Sequence, residues 1–172
     1  MRGRAWSAMG LAALLAFQPA CGPGTLSEQD RAAVEEEMDG FVASLFEAMN
    51  AGDVDGIAGH YDAGPEFFYV GCTVVTRGFD RVRSLMRMYY GSHPDVRFNP
   101  QVQATRVLDR DAAAVTVSAT TSADEHLFWT FVVHRTAEGW KIAQEHESWS
   151  DCPGRRPHPD LQGEPPTPDE SG

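Results

Sequence analysis

A chain of 172 residues with 42% hydrophobic composition can bury one sizeable core and, once its ends are set aside, has no room for a second domain. Its 25 acidic against 14 basic residues give a net charge of −11, a surface that repels phosphate backbones and anionic lipid headgroups and so excludes nucleic-acid binding. There is no Cys-x-x-Cys, His-Glu-x-x-His, glycine-rich phosphate loop or Gly-x-Ser-x-Gly elbow, so metal, phosphoryl-transfer and serine-hydrolase readings have no support and no cofactor is expected.

Residues 1–20 carry Arg2 and Arg4, an uncharged apolar run from Met9 to Phe17, and Pro19-Ala20 before Cys21. This resembles a secretory signal peptide, its apolar stretch too short to span a bilayer as a stable helix. Cys21, followed by Gly22-Pro23-Gly24, resembles the lipid-acceptor cysteine of bacterial lipoproteins, with residues 21–26 as a short tether. The expected location is the cell envelope, with membrane contact only through that lipid. An ordinary signal cleaved nearby, giving a secreted or periplasmic protein, is the alternative.

Ser27 with Asp30 three residues on marks a helix start. Val34, Met38, Phe41, Val42, Leu45, Phe46 and Met49 follow at helical spacing, and Gly52 is placed to stop the helix. Asp53 can cap a shorter second helix through Val54, Ile57 and Tyr61, ended by Gly64-Pro65. The β-rich runs Phe67–Val70 and Thr73–Thr76 flank Gly71-Cys72 and predict a hairpin. Gly78 then opens a third helix through Phe79, Val82, Leu85, Met86 and Tyr89, closed by Gly91 and Pro94.

From Val96 the pattern is strand after strand: Val96–Leu108, with Pro100 marking an edge or a bulge, then Ala112–Thr121, and a final ribbon from His126 to Trp149. In that ribbon Glu138-Gly139 is read as a two-residue turn with Ala137 opposite Trp140. The register puts Leu127, Trp129, Phe131 and Val133 on the same apolar face as Trp140, Ile142, Gln144 and His146, leaving Glu145 and Glu147 on the wet side. Residues 153–172 are proline-rich without apolar periodicity and are expected to be a disordered tail. Helices first and an antiparallel meander last argue an α+β domain over 27–152, three helices packed on a curved sheet to form a cone with a pocket at its wide end.

Setting Cys21 aside, Cys72 and Cys152 form an even pair, expected to be bridged in an oxidising compartment; two buried thiols are the alternative. Tyr61, Phe67, Tyr69, Trp129 and Phe131 are candidates for an aromatic wall around a small apolar ligand, or for plain core. Glu145 and Glu147 flank His146 but point away from it in a strand, so the triplet cannot gather on one metal ion, and no metal site is expected.

The order of elements, Ala51-Gly52-Asp53, Arg77-Gly78-Phe79-Asp80 and Gly139-Trp140-Lys141-Ile142 running to His146 and Ser148 resemble the SnoaL-like branch of the nuclear transport factor 2-like (NTF2-like) superfamily over about residues 30–150. That resemblance implies the cone, a pocket lined by the last strands and frequent homodimers through the outer sheet face. It does not imply an activity. His146 matches a histidine often found near the end of the last strand, where a neutral imidazole can move a proton beside Gln144 or Tyr69, or serve only as a satisfied structural group. Asp62 stands where such proteins often carry an acid near the cavity mouth, or is a turn residue before Gly64. Three functions follow as expectations: a binder of a small apolar molecule, a cofactor-independent isomerase, cyclase or dehydratase using His146, and a noncatalytic homodimerising module that uses Phe128 and Val132.

Overall fold

Ser27 caps the first helix as its sequence predicts: its Oγ accepts from Asp30 N at 3.1 Å, and α1 runs Glu28–Ala51 until Gly52 turns the chain at φ 66°. The computed structural model describes residues 26–72 and 74–149. Residues 1–20, Cys21 and most of its tether, Cys152 with its expected bridge to Cys72, and residues 153–172 lie outside the described residues.

Five of the seven stripe residues of α1 are buried, with Phe41 and Met49 partly so. Asp53 accepts from Gly56 N and caps α2 (Val54–Ala58), which ends before Tyr61. A hairpin, β1 (Phe68–Gly71) with β2 (Val74–Arg77), leads into α3 (Phe79–Ser92). Four long strands complete the domain: β3 (Phe98–Asp109), β4 (Ala112–Thr121), β5 (His126–Thr136) and β6 (Gly139–Trp149). The fold is the expected α+β cone, helices packed against a curved, mixed six-stranded sheet in the order β2-β1-β6-β5-β4-β3. β3, which carries Pro100, is an edge strand.

The first hairpin does not stand apart from the meander. β1 pairs parallel with β6, Tyr69 opposite Glu145 and Gly71 opposite Glu147. Alternation in β4 and β5 buries Val115, Val117, Leu127, Trp129, Phe131 and Val133, and Phe46 of α1 fits between Phe98 and Trp129 with centroids 6.2 and 5.4 Å away.

The final ribbon corrects the expected register twice. Its turn lies one residue earlier, with Thr136 opposite Gly139, whose φ of 105° only glycine adopts readily. The expected sharing of faces survives that shift as far as Val133 opposite Ile142. Val132 then pairs with Gln144, leaving Ala143 as an extra residue, and Phe131 pairs with Glu145. This β-bulge reverses the parity of everything after it. Glu145 turns in, and Gln144 and His146 turn out to solvent.

Asn50, near the end of α1, donates to Phe98 O at 2.9 Å and accepts from Phe98 N at 2.6 Å, fastening the helix to the start of β3. Asn50→Ala strands both backbone groups and should lower unfolding free energy by about 1–3 kcal/mol, measured by urea denaturation. An unchanged midpoint would show that water replaces the clamp at no cost.

Candidate active site

Two carboxylates share the inner face of β6 because Glu145 and Glu147 are two residues apart, beyond the bulge. Each meets a tyrosine brought by a different part of the chain. Tyr61, following α2, forms an isolated bridge opposite Ile142, and its hydroxyl donates to Glu145 Oε2 at 2.9 Å. Tyr69 of β1 donates to Glu147 Oε2 at 2.8 Å. Gly71 makes that second contact possible, since a Cβ built on it would lie 2.1 Å from the Tyr69 hydroxyl oxygen. No hydrogen bond among the described residues reaches the Oε1 atom of either carboxylate.

Glu145 is 3% exposed. Burial, then the charge of Glu147, pushes its pKa up to about 8 against the opposing pull of the Tyr61 hydrogen bond. Burial also raises Glu147, with Tyr69 working the other way. Tyr61, Tyr69 and Tyr90 are all pushed upward, chiefly by burial, so their phenols stay protonated as donors. At neutral pH the pair therefore holds a proton that one carboxyl can give or take.

Both carboxylates border a cavity of about 560 Å³. Trp129, Phe131 and Leu127 of β5, Trp149 of β6, and Leu85, Met86, Tyr89 and Tyr90 of α3 form its walls, with Glu125 and His93 also facing it. Its size and its mostly apolar wall with a few convergent polar groups are those of a small-molecule pocket.

The residues singled out in the sequence divide cleanly. Tyr61, Tyr69, Trp129 and Phe131 line the cavity, whereas Phe67, 1% exposed and packed edge-on to Tyr61 and Phe79, is core. Gln144 and His146 are corrections, for both lie on the outer, exposed face, away from the cavity, because Ala143 shifts the strand. Asp62 is likewise outside the lining. It accepts from Gly64 N at 2.9 Å as a turn residue and approaches His134 Nε2 at 3.3 Å on the outer face. The acids were missed because alternation assigned them to solvent. No three His, Cys, Asp or Glu side chains among the described residues come together as a metal site.

A family model described as a SnoaL-like domain matches residues 39–151. The chain belongs to the SnoaL-like family. No curated protein matches it significantly. Among solved structures, this SnoaL-like chain is similar to a candidate dehydratase of the NTF2-like family from Streptomyces avermitilis, at 22% identity and TM-score 0.60 over 69% of this chain and 96% of that one. An NTF2-like protein of unknown function from Shewanella oneidensis aligns at 18% identity and TM-score 0.57, covering 67% and 98%. A ketosteroid isomerase-like protein from Erwinia carotovora atroseptica aligns at 16% and 0.52, covering 72% and 98%. At these identities the likeness establishes the NTF2-like fold.

The raised carboxyl of Glu145 has a consequence for stability. The folded domain keeps a proton that the unfolded chain surrenders above the ordinary 4.5, so stability should fall as pH rises from about 4.5 through about 8, at up to roughly 1.4 kcal/mol per pH unit for one proton. Denaturant midpoints across that range should show the decline in the native protein and a flatter profile in Glu145→Gln. Identical slopes in the two proteins would refute the assignment.

Proposed function

We propose that the domain binds a small, largely apolar ligand whose polar end meets Glu145 and Glu147. One observation carries this reading: a cavity of about 560 Å³ with aromatic and aliphatic walls ends on two carboxyls, Glu145 buried and Glu147 half-buried, whose Oε1 atoms have no hydrogen-bond partner among the described residues. A ligand group that hydrogen-bonds there replaces contacts the carboxyls otherwise lack. The signal-like residues 1–20 and Cys21 support binding at the cell envelope from a lipid-anchored domain. Phe128, 51% exposed on the outer sheet face, is where a second copy would pack in this reading.

Nile red, a neutral apolar dye, is a suitable probe, and Trp129 and Trp149 in the wall report on it by energy transfer. Saturable one-to-one binding is expected in the native protein. Met86→Trp, which fills the cavity from α3, should abolish binding while leaving the circular dichroism spectrum and melting temperature essentially unchanged. Equal binding by both proteins would place the dye, and the reading, elsewhere.

A second reading, a cofactor-independent proton-transfer enzyme of the isomerase or dehydratase type, is favoured by the Glu145 carboxyl at about 8 with Tyr61 donating to it. Glu145 would carry the proton, with Tyr61 and Tyr69 holding the carboxyl pair in place. The names of the Streptomyces and Erwinia proteins agree with this class. Exchange of the α-protons of 2-tetralone in deuterated buffer, followed by NMR, tests it. Acceleration is expected, lost roughly 100-fold or more in Glu145→Gln, and its absence in the native protein would reject the reading.

A further inference from the structure

The charges that face the cavity are of one sign. Glu145 and Glu147 of β6 and Glu125 before β5 border it, the tyrosines facing it are Tyr61, Tyr69, Tyr89 and Tyr90, and His93 is the sole basic side chain in its described lining. No lysine or arginine among the described residues reaches it. The two β6 acids are neighbours on one face, and each already uses Oε2 on a tyrosine hydroxyl, which leaves Oε1 as acceptor. A neutral ligand leaves the pair's mutual repulsion as it is, and an anionic ligand worsens it.

The walls supply the other half of the argument. Tyr69, Tyr89, Tyr90, Trp129 and Trp149 all contribute ring surface to the cavity. Aromatic faces carry negative quadrupoles, and several rings beside a carboxylate suit an organic ammonium group, whose alkyl substituents spread its charge and make it less costly to desolvate than a bare ammonium. The cavity thus pairs uncompensated negative charge with surface that attracts soft cations while remaining apolar enough for a hydrocarbon body.

We infer that the ligand is a hydrophobic amine in cationic form, a protonated or quaternary ammonium head seated between Glu145, Glu147 and the ring walls, with its apolar body along α3. This specifies the ligand class for the binding reading above and rests on it. The head contacts the two free Oε1 atoms directly when it bears N–H donors and through charge alone when it is quaternary. Seating the cation ionises the pair, so the site releases protons on binding in the pH range where the carboxyls are partly protonated.

Competition against Nile red separates the two claims, using benzyltrimethylammonium and its uncharged carbon isostere, neopentylbenzene. At pH 8.5 the cation is expected to displace the dye at a concentration at least tenfold lower than the isostere. Its advantage should shrink toward pH 6, as Glu145, its carboxyl pushed up to about 8, takes up its proton. Glu145→Gln and Glu147→Gln should each erase the advantage, scored against each variant's own Nile red affinity, with the circular dichroism spectrum as the control for folding. An isostere equal to or better than the cation, a cation preference that survives both substitutions, or dye that neither probe displaces would overturn the cationic assignment while the pocket stands. Native protein that binds neither Nile red nor either probe would overturn the pocket as well.

Discussion

Ala143 has no partner of its own across β5, and the parity shift it introduces determines which side chains of the last strand face the helices. With Ala143 paired regularly instead of bulged, the chain from Ile142 onward would alternate as written, with Gln144 and His146 inside and Glu145 and Glu147 in water. With the bulge, two acids enter an otherwise apolar interior. A bulge also bends and twists its strand, so one local irregularity both curves the sheet toward α3 and selects the polar groups that the curvature encloses.

Turning one buried and one half-buried carboxyl inward carries a desolvation cost, and the surrounding structure is arranged to meet part of it. Tyr61 and Tyr69 come from segments that are distant in sequence and reach β6 by different backbone pairings, a single bridge to Ile142 and the parallel β1 ladder. Gly71 clears space for the second hydroxyl. Phe67 and Phe79 wedge Tyr61 in place, stacked on Phe79 at 4.9 Å and edge-on to Phe67 at 5.5 Å. The phenols satisfy one oxygen of each acid and leave the other to the cavity, which limits the stabilisation the protein itself provides. Raised carboxyl pKa values are the result.

Local signals in the sequence carried most of the architecture. Ser27 and Asp53 capped the helices they were expected to cap, Gly52 stopped α1, and the alternation of β5 named its inner face correctly. The failures share a physical origin in nonlocal pairing. Nothing in Ala143 marks it as a bulge, since its side chain fits either geometry and the shift is set by what β5 and β1 require of β6. The parallel docking of β1 was invisible for the same reason. Alternation then misled in a specific way: a regular register puts Gln144 and His146 on the pocket side, whereas the inward residues are the acids that the same register sends to solvent. A buried acid that violates local preference is characteristic of a site built for something other than stability.

The two ends of the cone handle polar groups in opposite ways. Beside the β5–β6 turn, Glu37 of α1 accepts from Arg135 at 2.5 Å and from Trp140 Nε1 at 2.6 Å, while Arg135 lies 4.4 Å over the Trp140 ring and also bonds Asp111. Acid, base and indole are all partnered, and water reaches them. Further along the sheet, Phe46, Phe98 and Trp129 fill the interior edge to edge. Past Trp129 the filling stops, although α3 offers Leu85, Met86, Tyr89 and Tyr90 within reach of β6. A domain selected for stability alone would let such side chains close the gap, because unfilled apolar volume forfeits dispersion contacts and the acids beside it would be better replaced by aliphatic groups. That the charges beside the β5–β6 turn are paired within the chain and the acids at the open end are not is therefore the structural argument for a ligand there, with the missing contacts and the missing charge supplied together from outside the chain.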